Sequence, residues 1–244
     1  MALVVTSWNL QGSAGPDIEA VADHLRRVGC DVALVQEVQR RQARGLARTL
    51  GARSCSWGFK HWPVRTRPEG MAILGISRSV QGTDTVGLTA RWRIWSWRRR
   101  IVQFAHLDGL RLINIHLSPQ DVESLREHEL ARVLHRAARD RSNARLMAGD
   151  FNARPNAALF AALTAAGLRD AWVVARPDSA NAGATHWSAR DRGRRAPTRR
   201  IDYVWVSPDI TIERADLPRY GSDGYEIYPK LSDHLPLTVT LDVE

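Results

Sequence analysis

Two apolar segments near the amino terminus indicate the fold class: Leu3-Val4-Val5-Thr6-Ser7-Trp8-Asn9 and Asp31-Val32-Ala33-Leu34-Val35-Gln36-Glu37. Each is a short apolar run, which is typical of a buried β-strand, and each is followed by a polar residue. Between them, residues Ile18–Val28 have the apolar spacing of a helix, and Gly29 stops that helix. The order strand, helix, strand predicts an α/β fold.

The same alternation continues along the chain, with no internal repeat and no low-complexity linker. Further helices are predicted over Val38–Leu50, from Ser118-Pro119-Gln120-Asp121 to about Asp140, and over Ala157–Ala166. Further strands are predicted over Met71–Ser77, Arg100–Leu107, Arg111–Leu117, Arg145–Ala148, Arg200–Val206, Thr211–Ala215 and Pro236–Val243. We expect a single domain over residues 1–244, built as a layered α/β sandwich with mixed sheets and helices on the outer faces.

The composition excludes several classes of protein. The chain has 244 residues, of which 44% are hydrophobic and 25% charged, so it is globular rather than disordered. Its most apolar stretch, Ala157–Leu168, is far shorter than the ~20 residues of a membrane-spanning helix. The amino terminus has no basic run and no long apolar segment, so we expect no secretory signal. Cys30 and Cys55 form no metal-binding or disulfide pattern, and we expect reduced thiols in a cytoplasmic, monomeric protein.

The positive charge of the chain suggests a polyanionic partner. Lysine and arginine total 35 against 26 acidic residues, which gives a net charge of +9. Lys60 and Lys230 are the only lysines, so 33 of the 35 basic residues are arginines. A GC-rich genome can produce this skew through codon supply alone. The net charge nevertheless favours nucleic acid, phospholipid headgroups or phosphorylated small molecules as partners.

Polar side chains interrupt or follow the predicted strands at several places. They are Asn9, Glu37, His116, Asp150, Asn152, Asp202, Asp233 and His234. Taken singly, each is typical of a turn residue or a hydrogen-bonded core residue, but together they indicate a site at the strand ends. Carboxylate and amide oxygens suit a hard cation such as Mg²⁺ or Mn²⁺. Imidazole can act as an acid or a base near neutral pH.

Seven motifs then carry a resemblance to a known family. In chain order they are Ser7-Trp8-Asn9, Gln36-Glu37, Gly70-Met71-Ala72-Ile73-Leu74, Asn114-Ile115-His116-Leu117, Gly149-Asp150-Phe151-Asn152, Arg200-Ile201-Asp202-Tyr203 and Ser232-Asp233-His234-Leu235-Pro236. This set resembles the endonuclease/exonuclease/phosphatase superfamily, which includes abasic endonucleases, pancreatic-type deoxyribonuclease, sphingomyelinases and inositol polyphosphate 5-phosphatases. The resemblance implies a metal-dependent phosphoesterase. It also implies a four-layered α/β sandwich, with two mixed β-sheets packed face to face and helices outside them.

The resemblance also implies a metal site. Glu37 matches the main metal ligand of the family, and Asn9 and Asp233 match the ligands beside it. The implied cofactor is Mg²⁺ or Mn²⁺. One or two such cations would neutralise the phosphoester, whose negative charge otherwise repels a nucleophile.

Five further residues match the catalytic positions of the family. Asp150 resembles the residue that orients or deprotonates the attacking water, and Asn152 resembles the one that holds phosphate. His234 matches the active-site imidazole, and Asp202 matches the carboxylate that orients it. His116 matches the histidine of the deoxyribonuclease branch. Either Asp150 or His234 is the general base, and the sequence leaves both open.

Two arginine-rich segments are candidates for substrate contacts. In residues 91–100, tryptophans alternate with arginines, a pattern that either binds bases and phosphates or forms a strand with Trp95 and Trp97 packed on one face. The second segment leads into Asp202 and is either a solvated loop or a contact to a phosphate backbone. Its arginines are Arg190, Arg192, Arg194, Arg195, Arg199 and Arg200. We expect the substrate to be bound by Arg192, Arg194, Arg195, Arg199 and Trp187.

The leading hypothesis is a metal-dependent nuclease that acts on DNA or another nucleic acid. The first alternative is a phosphatase or phosphodiesterase that acts on a small phosphorylated metabolite or a lipid headgroup. The second is a nucleic-acid-binding module without catalysis, which the complete set of site residues argues against. Two residues depart from the abasic endonucleases: Gln39 stands where they usually have lysine, and Arg199 where they have an aromatic residue.

Overall fold

Two six-stranded sheets form the centre of the protein. The structure is a computed structural model that describes residues 2–62, 68–89, 96, 99–119, 123–140, 144–179 and 183–243. Its strands are β1 (Ala2–Asn9), β2 (Val32–Gln39), β3 (Ser54–His61), β4 (Glu69–Gly75), β5 (Gln81–Gly87), β6 (Ile101–Leu107), β7 (Leu110–His116), β8 (Arg145–Asp150), β9 (Arg169–Asp170), β10 (Asp202–Val206), β11 (Ile210–Asp216) and β12 (Leu237–Val243). The first sheet has the order β11-β12-β1-β2-β4-β3 and the second β5-β6-β7-β8-β10-β9.

Helices cover the outer face of each sheet. They are α1 (Ile18–Arg27), α2 (Arg40–Leu50), α3 (Glu123–Ala137), α4 (Leu159–Ala165), α5 (Ala171–Ala175) and α6 (Tyr228–Leu231). Residues of α1 and α2 pack on the first sheet, and residues of α3 and α4 pack on the second. Within the described residues, no helix is long and apolar enough to cross a bilayer.

The main core lies between the two sheets. Leu3 and Val5 of β1 share it with Leu112 of β7 and Ala148 of β8, whereas Trp8 packs on the helical side of the first sheet. Because side chains alternate along a strand, the residues that follow Val5 at every second position also face the second sheet. Helices, sheet, sheet and helices therefore form the four-layered sandwich, which confirms the predicted fold.

Each sheet contains one parallel pair of strands, and this decides where the functional residues collect. β1 pairs with β2 in parallel, and β7 pairs with β8 in parallel. The carboxyl ends of these four strands lie at the same end of the sandwich. Because β10 and β12 run antiparallel to β8 and β1, their amino-terminal ends also lie there. The strand-end residues picked out by sequence therefore converge.

A buried polar network joins the two sheets beneath that end. The Nε2 atom of Gln36 donates to Oδ1 of Asn114 at 2.7 Å, and Nδ2 of Asn114 donates to the Ala72 carbonyl and to Oε1 of Gln103 at 3.0 and 3.1 Å. Gln36 also donates to Oγ of Ser7 at 3.3 Å. These bonds pair both polar atoms of the Asn114 amide, although Oε1 of Gln36 and Nε2 of Gln103 have no partner among the described residues, and they hold the ends of the two sheets in a defined position.

The element boundaries differ from the prediction at β2 and α2. Val38 and Gln39 belong to β2 rather than to the following helix, because they pair with Gly70 and Glu69 after an irregularity in the ladder. The helix α2 begins at Arg40, where Gln39 and Gln42 form a capping box. The sequence reading did not predict β3, which lies at the edge of the first sheet.

Candidate active site

Three neighbouring strands of the second sheet place His116, Asp150 and Asp202 side by side. In the ladder, Asp150 is paired with His116 of β7 on one side and with Asp202 of β10 on the other. All three residues are buried. Nε2 of His116 lies 3.7 Å from Oδ2 of Asp150. The register of the sheet alone therefore brings together three of the predicted catalytic residues.

The first sheet contributes Asn9 and Glu37. Asn9 ends β1 next to Gln36 of β2, and its Nδ2 donates to Oδ2 of Asp150 at 3.1 Å. Glu37 follows at the irregularity in β2 and has a φ of 48°. A left-handed conformation costs a non-glycine residue about 1–3 kcal/mol and is concentrated at functional sites. Here the left-handed residue accompanies a change in the direction of the β2 backbone. Gln36 stays between the sheets, while Glu37 lines the cavity described below.

The segment that carries Asp233 and His234 is held by hydrogen bonds on both sides. Oγ of Ser232 donates to the Asn9 carbonyl at 2.6 Å and accepts the backbone N–H of His234 at 3.0 Å. Nε1 of Trp8 donates to the carbonyl of His234 at 2.9 Å. The position of His234 relative to Asn9 is therefore fixed by the backbone as well as by side chains.

These side chains surround a cavity of about 350 Å³. Seven of the eight predicted metal and catalytic residues line it, namely Asn9, Glu37, His116, Asp150, Asn152, Asp233 and His234. The eighth, Asp202, lies behind His234 and accepts a hydrogen bond from its Nδ1 at 2.8 Å. The remaining lining residues are Ser13, Lys60, His61, Glu69, Arg100 and Pro119.

The two imidazoles of the cavity differ in charge. Burial opposes protonation of His234, but Asp202, Asp150 and Asp233 outweigh it and raise its pKa to about 10. Burial lowers the pKa of His116 well below its usual range, and Lys60 adds to this effect. At neutral pH, His234 is therefore an imidazolium that donates from both nitrogens, and His116 is a neutral imidazole.

The carboxylate of Asp150 lies close to both imidazoles and also accepts hydrogen bonds. Its Oδ1 accepts the backbone N–H of Asn152 at 2.8 Å, and its Oδ2 is 3.8 Å from Nε2 of His234. Burial raises the pKa of Asp150 to about 7, with His234 opposing the rise and Asp202 adding to it. Asp150 therefore exchanges a proton near neutral pH, which is what an acid or base in this cavity requires.

Sequence reasoning missed a second charged group on the cavity wall. Nζ of Lys60 lies 3.2 Å from Oε1 of Glu69 and 3.9 Å from Oε1 of Glu37, and Nε2 of His61 lies 3.8 Å from Oε1 of Glu69. Lys60 and His61 end β3 and Glu69 begins β4, so the antiparallel pairing of these strands brings them to the site. Burial lowers the pKa of Lys60, Arg100 adds to this, and both glutamates oppose it. One sequence signal was present, since Lys60 is one of only two lysines.

Donor atoms for a metal ion are present around Asp233 and around Glu37. Polar atoms of His186, Asp233 and His234 lie within 4.8 Å of one another, as do those of Asp150, Asp202 and His234. Because His234 carries a proton on both nitrogens, the ligands in these groups are the carboxylates and His186. The side chain of Glu37 is 26% exposed, and its Oε1 lies 3.9 Å from the Lys60 ammonium and 3.7 Å from Nε2 of the neutral His116. Carboxylate and amide oxygens that face a polar cavity suit a hard divalent cation.

The structure corrects the prediction that Trp187 binds substrate. Its side chain is 1% exposed, and its Nε1 donates to the Arg195 carbonyl at 2.8 Å. The ring packs on Tyr225 in the core beneath α1 and α2. Because no face of the indole is free, it cannot stack on a base.

The predicted arginines divide into different groups. Arg192 donates to the Pro229 carbonyl and to Oε1 of Gln11 at 2.5 and 2.6 Å, so it holds loops together. Arg194 and Arg195 are exposed. The backbone of Arg199 forms an isolated β-bridge with that of His186, and His186 forms a second one with His234 at the cavity. In the segment 91–100, residues 91–95, 97 and 98, with both predicted strand tryptophans, lie outside the described residues.

The fold and this site define a family of phosphoesterases. A family model described as the endonuclease/exonuclease/phosphatase family matches residues 6–234. The chain belongs to this family, whose members are hydrolases that act on phosphoesters. A comparison with curated proteins gives no match.

Solved structures of low sequence identity share the fold. An endonuclease/exonuclease/phosphatase from Beutenbergia cavernae is 21% identical with a TM-score of 0.78, and the match covers 99% of this chain and 72% of that one. A family protein from Leptotrichia buccalis is 18% identical, with a TM-score of 0.76 and 99% of both chains covered. A humanized D. rerio TDP2 is 19% identical, with a TM-score of 0.74 and 99% of both chains covered.

Proposed function

We propose that this protein is a divalent-metal-dependent nuclease that hydrolyses phosphodiester bonds in DNA or another nucleic acid by in-line attack of water. Residues 1–244 would act as a single catalytic domain. The observation that carries the proposal is the hydrogen bond of 2.8 Å between Nδ1 of His234 and Oδ2 of Asp202. The other nitrogen of the same imidazole, Nε2, faces Oδ2 of Asp150 at 3.8 Å. This arrangement holds an oriented imidazolium beside a carboxylate that can exchange a proton, as phosphoester hydrolysis requires.

The donor set fits Mg²⁺ or Mn²⁺. Glu37, Asn9 and Asp233 would hold the cation, since all three line the cavity and offer oxygen atoms. When bound, the cation supplies charge neutralisation at the phosphate and polarises the P–O bond. Glu37 and Asp233 are carboxylates of similar exposure, 26% and 24%, and we assign the larger contribution to Glu37, the position that matches the main metal ligand of the family.

Asp150 is our choice for the general base. His234 lies among three carboxylates, at 2.8 Å from Asp202, 3.8 Å from Asp150 and 4.0 Å from Asp233, which hold its proton in place. Its Nε2–H is therefore a donor toward the phosphate. Asp150 is oriented by the backbone N–H of Asn152, so its carboxylate is positioned to accept a proton from water.

Phosphate oxygens would meet several donors on the cavity wall. Asn152, His116 and Lys60 line the cavity together with Arg100. Negative charge spreads over the equatorial oxygens in the transition state, and donors placed there stabilise it more than they stabilise the ground state.

Nucleic acid is the substrate class that the charge favours. The chain carries +9, Arg194 and Arg195 are exposed in the loop that precedes Asp202, and Arg199 lies beside His186. A backbone that enters the cavity would pass these guanidinium groups and exchange its counterions for them.

The test is a substrate panel with Mg²⁺ or Mn²⁺: plasmid, single-stranded DNA, RNA, an abasic duplex, phosphomonoesters and bis(p-nitrophenyl) phosphate. Cleavage of a nucleic acid supports the proposal. Turnover restricted to phosphomonoesters overturns it in favour of a small-metabolite phosphatase.

A salt titration separates backbone tracking from binding of one phosphate. We expect the double change Arg194→Ala with Arg195→Ala to flatten the slope of log K against log salt by about one to two units. The control pair, Arg136→Ala with Arg139→Ala, removes two exposed arginines near the carboxyl end of α3, at the other end of the sandwich. An unchanged slope in the first variant contradicts the assignment of these arginines.

A further inference from the structure

A second cavity, of about 790 Å³, lies between the loop 189–195 and the segment 220–230. Its charged and aromatic lining residues are Arg192, Arg195, Tyr220, Tyr225, Glu226 and Lys230. It is larger than the catalytic cavity and shares no lining residue with it. Three of its charged lining residues are basic and one is acidic, so the electrostatic potential of the cavity favours an anionic ligand.

Two chains of hydrogen bonds connect this cavity to the catalytic one. Arg192 donates to Oε1 of Gln11 at 2.6 Å, and the backbone N–H of Gln11 donates to Oδ1 of Asn9 at 3.0 Å. Trp187 donates from Nε1 to the Arg195 carbonyl at 2.8 Å and from its backbone N–H to the Asp233 carbonyl at 3.0 Å. Two hydrogen bonds in each chain therefore fix the walls of the two cavities relative to each other.

The second cavity presents an aromatic ring to solvent. Tyr220 is 54% exposed, and its ring stands edge-on to Tyr225 at 5.3 Å and 83°. Tyr225 packs in turn on Trp187 and Tyr228, with centroid distances of 6.2 and 5.8 Å. Tyr220 is thus an exposed ring supported from behind by a row of buried aromatic residues, which is the arrangement of a stacking platform.

Of two polar groups close to that ring, Glu226 is exposed to a ligand and the Tyr225 hydroxyl is enclosed. The hydroxyl of Tyr225 is buried and has no hydrogen-bond partner among the described residues. The carboxylate of Glu226 is next to it in sequence and can accept from an exocyclic amine.

The choice of lysine is a further signal. Arginine supplies 33 of the 35 basic residues, so a lysine is a rare residue in this chain. The two lysines line the two cavities, Lys60 the catalytic one and Lys230 the second. A compact ammonium can follow a phosphate as a point charge, whereas a guanidinium requires a fixed planar geometry.

We propose that the second cavity is a subsite for one unpaired nucleotide adjacent to the scissile phosphate. The base stacks on Tyr220 with its edge toward Glu226, and the flanking phosphate lies against Arg195 and Lys230. The base must be unpaired, because stacking on a protein ring requires it to leave the helical stack. This proposal rests on the proposed nuclease function and names single-stranded nucleic acid as its preferred substrate.

The test compares Tyr220→Ala with Tyr220→Phe, which keeps the ring, and Tyr220→Leu, which keeps apolar bulk without aromaticity. With a single-stranded octanucleotide we expect KM to rise about 5- to 100-fold in the alanine and leucine variants and to stay near wild type in the phenylalanine variant. Hydrolysis of bis(p-nitrophenyl) phosphate should be unchanged in all three, because that substrate does not reach the second cavity. An unchanged KM in Tyr220→Ala, or an equal loss with the small diester, overturns the subsite.

The same substrates separate failure of the subsite from failure of the proposed function. If the wild-type protein hydrolyses the small diester and leaves the octanucleotide intact, the nuclease proposal is wrong. Fluorescence anisotropy of the labelled octanucleotide in EDTA then tests the subsite independently of turnover. Equal binding by the wild-type protein and Tyr220→Ala, or no binding by either, overturns it in that case as well.

Discussion

The Nδ1 atom of His234 lies 2.8 Å from Oδ2 of Asp202, and this hydrogen bond joins the two sheets of the sandwich. Asp202 begins β10 in the second sheet, and His234 precedes β12 in the first. The bond therefore connects residues 32 positions apart whose strands never pair. Its role is to orient the imidazole and to stabilise its charged form.

This pair yields the first prediction. Asp202→Asn should lower kcat by about 10²- to 10⁴-fold, approaching the loss in His234→Ala, because either change removes the oriented imidazolium. The double variant should lose little more than the worse single one. Steady-state kinetics of all four proteins measure this, and losses that add in log kcat would show that the residues act independently.

The second prediction concerns Glu37. Glu37→Gln should lower activity by about three orders of magnitude and weaken Mn²⁺ binding, because the amide carries no charge to hold the cation. Activity assays with and without EDTA, together with calorimetric titration of Mn²⁺, provide the measurement. Glu127→Gln, at an exposed position of α3, is the matched control. Activity that survives both EDTA and Glu37→Gln rules out the metal mechanism.

The third prediction concerns Lys60, which is 2% exposed and lies 3.9 Å from Glu37. Lys60→Met should raise the Mn²⁺ affinity of the protein without substrate by about tenfold, because it removes a positive charge that repels the cation. It should also lower kcat/KM, since that charge is lost from the phosphate. Lys60→Arg should lower kcat/KM as well, because a planar guanidinium does not fit a buried site that holds a compact ammonium. Unchanged Mn²⁺ affinity in Lys60→Met would contradict the electrostatic argument.

The fourth prediction is a pH dependence of stability. Burial lowers the pKa of His24 from the ordinary 6.5 to about 4, and Arg27 adds to this. Between these values the unfolded chain binds a proton that the folded protein does not, so stability falls as the pH drops from 6.5 to 4. The contribution is about 3 kcal/mol and is fully lost only below pH 4. Urea unfolding of wild type and His24→Gln at pH 7 and pH 4.5 measures it, and parallel losses in the two proteins would refute it.

Local patterns in the sequence account for much of the fold and of the site. The apolar runs of β1 and β2 and the helical spacing of α1 reflect periodicities that depend on near neighbours only. The strand-end positions of Asn9 and Asp150 could be found for the same reason, since a polar residue after a buried run marks where a strand reaches the edge of its sheet. Gly51 ends α2 through its own left-handed conformation, with a φ of 62°.

Contacts between distant segments decided the rest. Lys60 and Glu69 enter the catalytic cavity because β3 and β4 pair at the edge of a sheet, and that pairing depends on a register that no local pattern specifies. Trp187 stands in an arginine-rich stretch that suggests a surface loop, yet its ring is covered by Tyr225 from a segment 38 positions further along the chain. The order of residues along the chain is enough to place polar residue types at the strand ends. Which of them share a cavity, and which charge each carries, depends on the folded protein, because burial and Coulomb interactions depend on neighbours in space rather than along the chain.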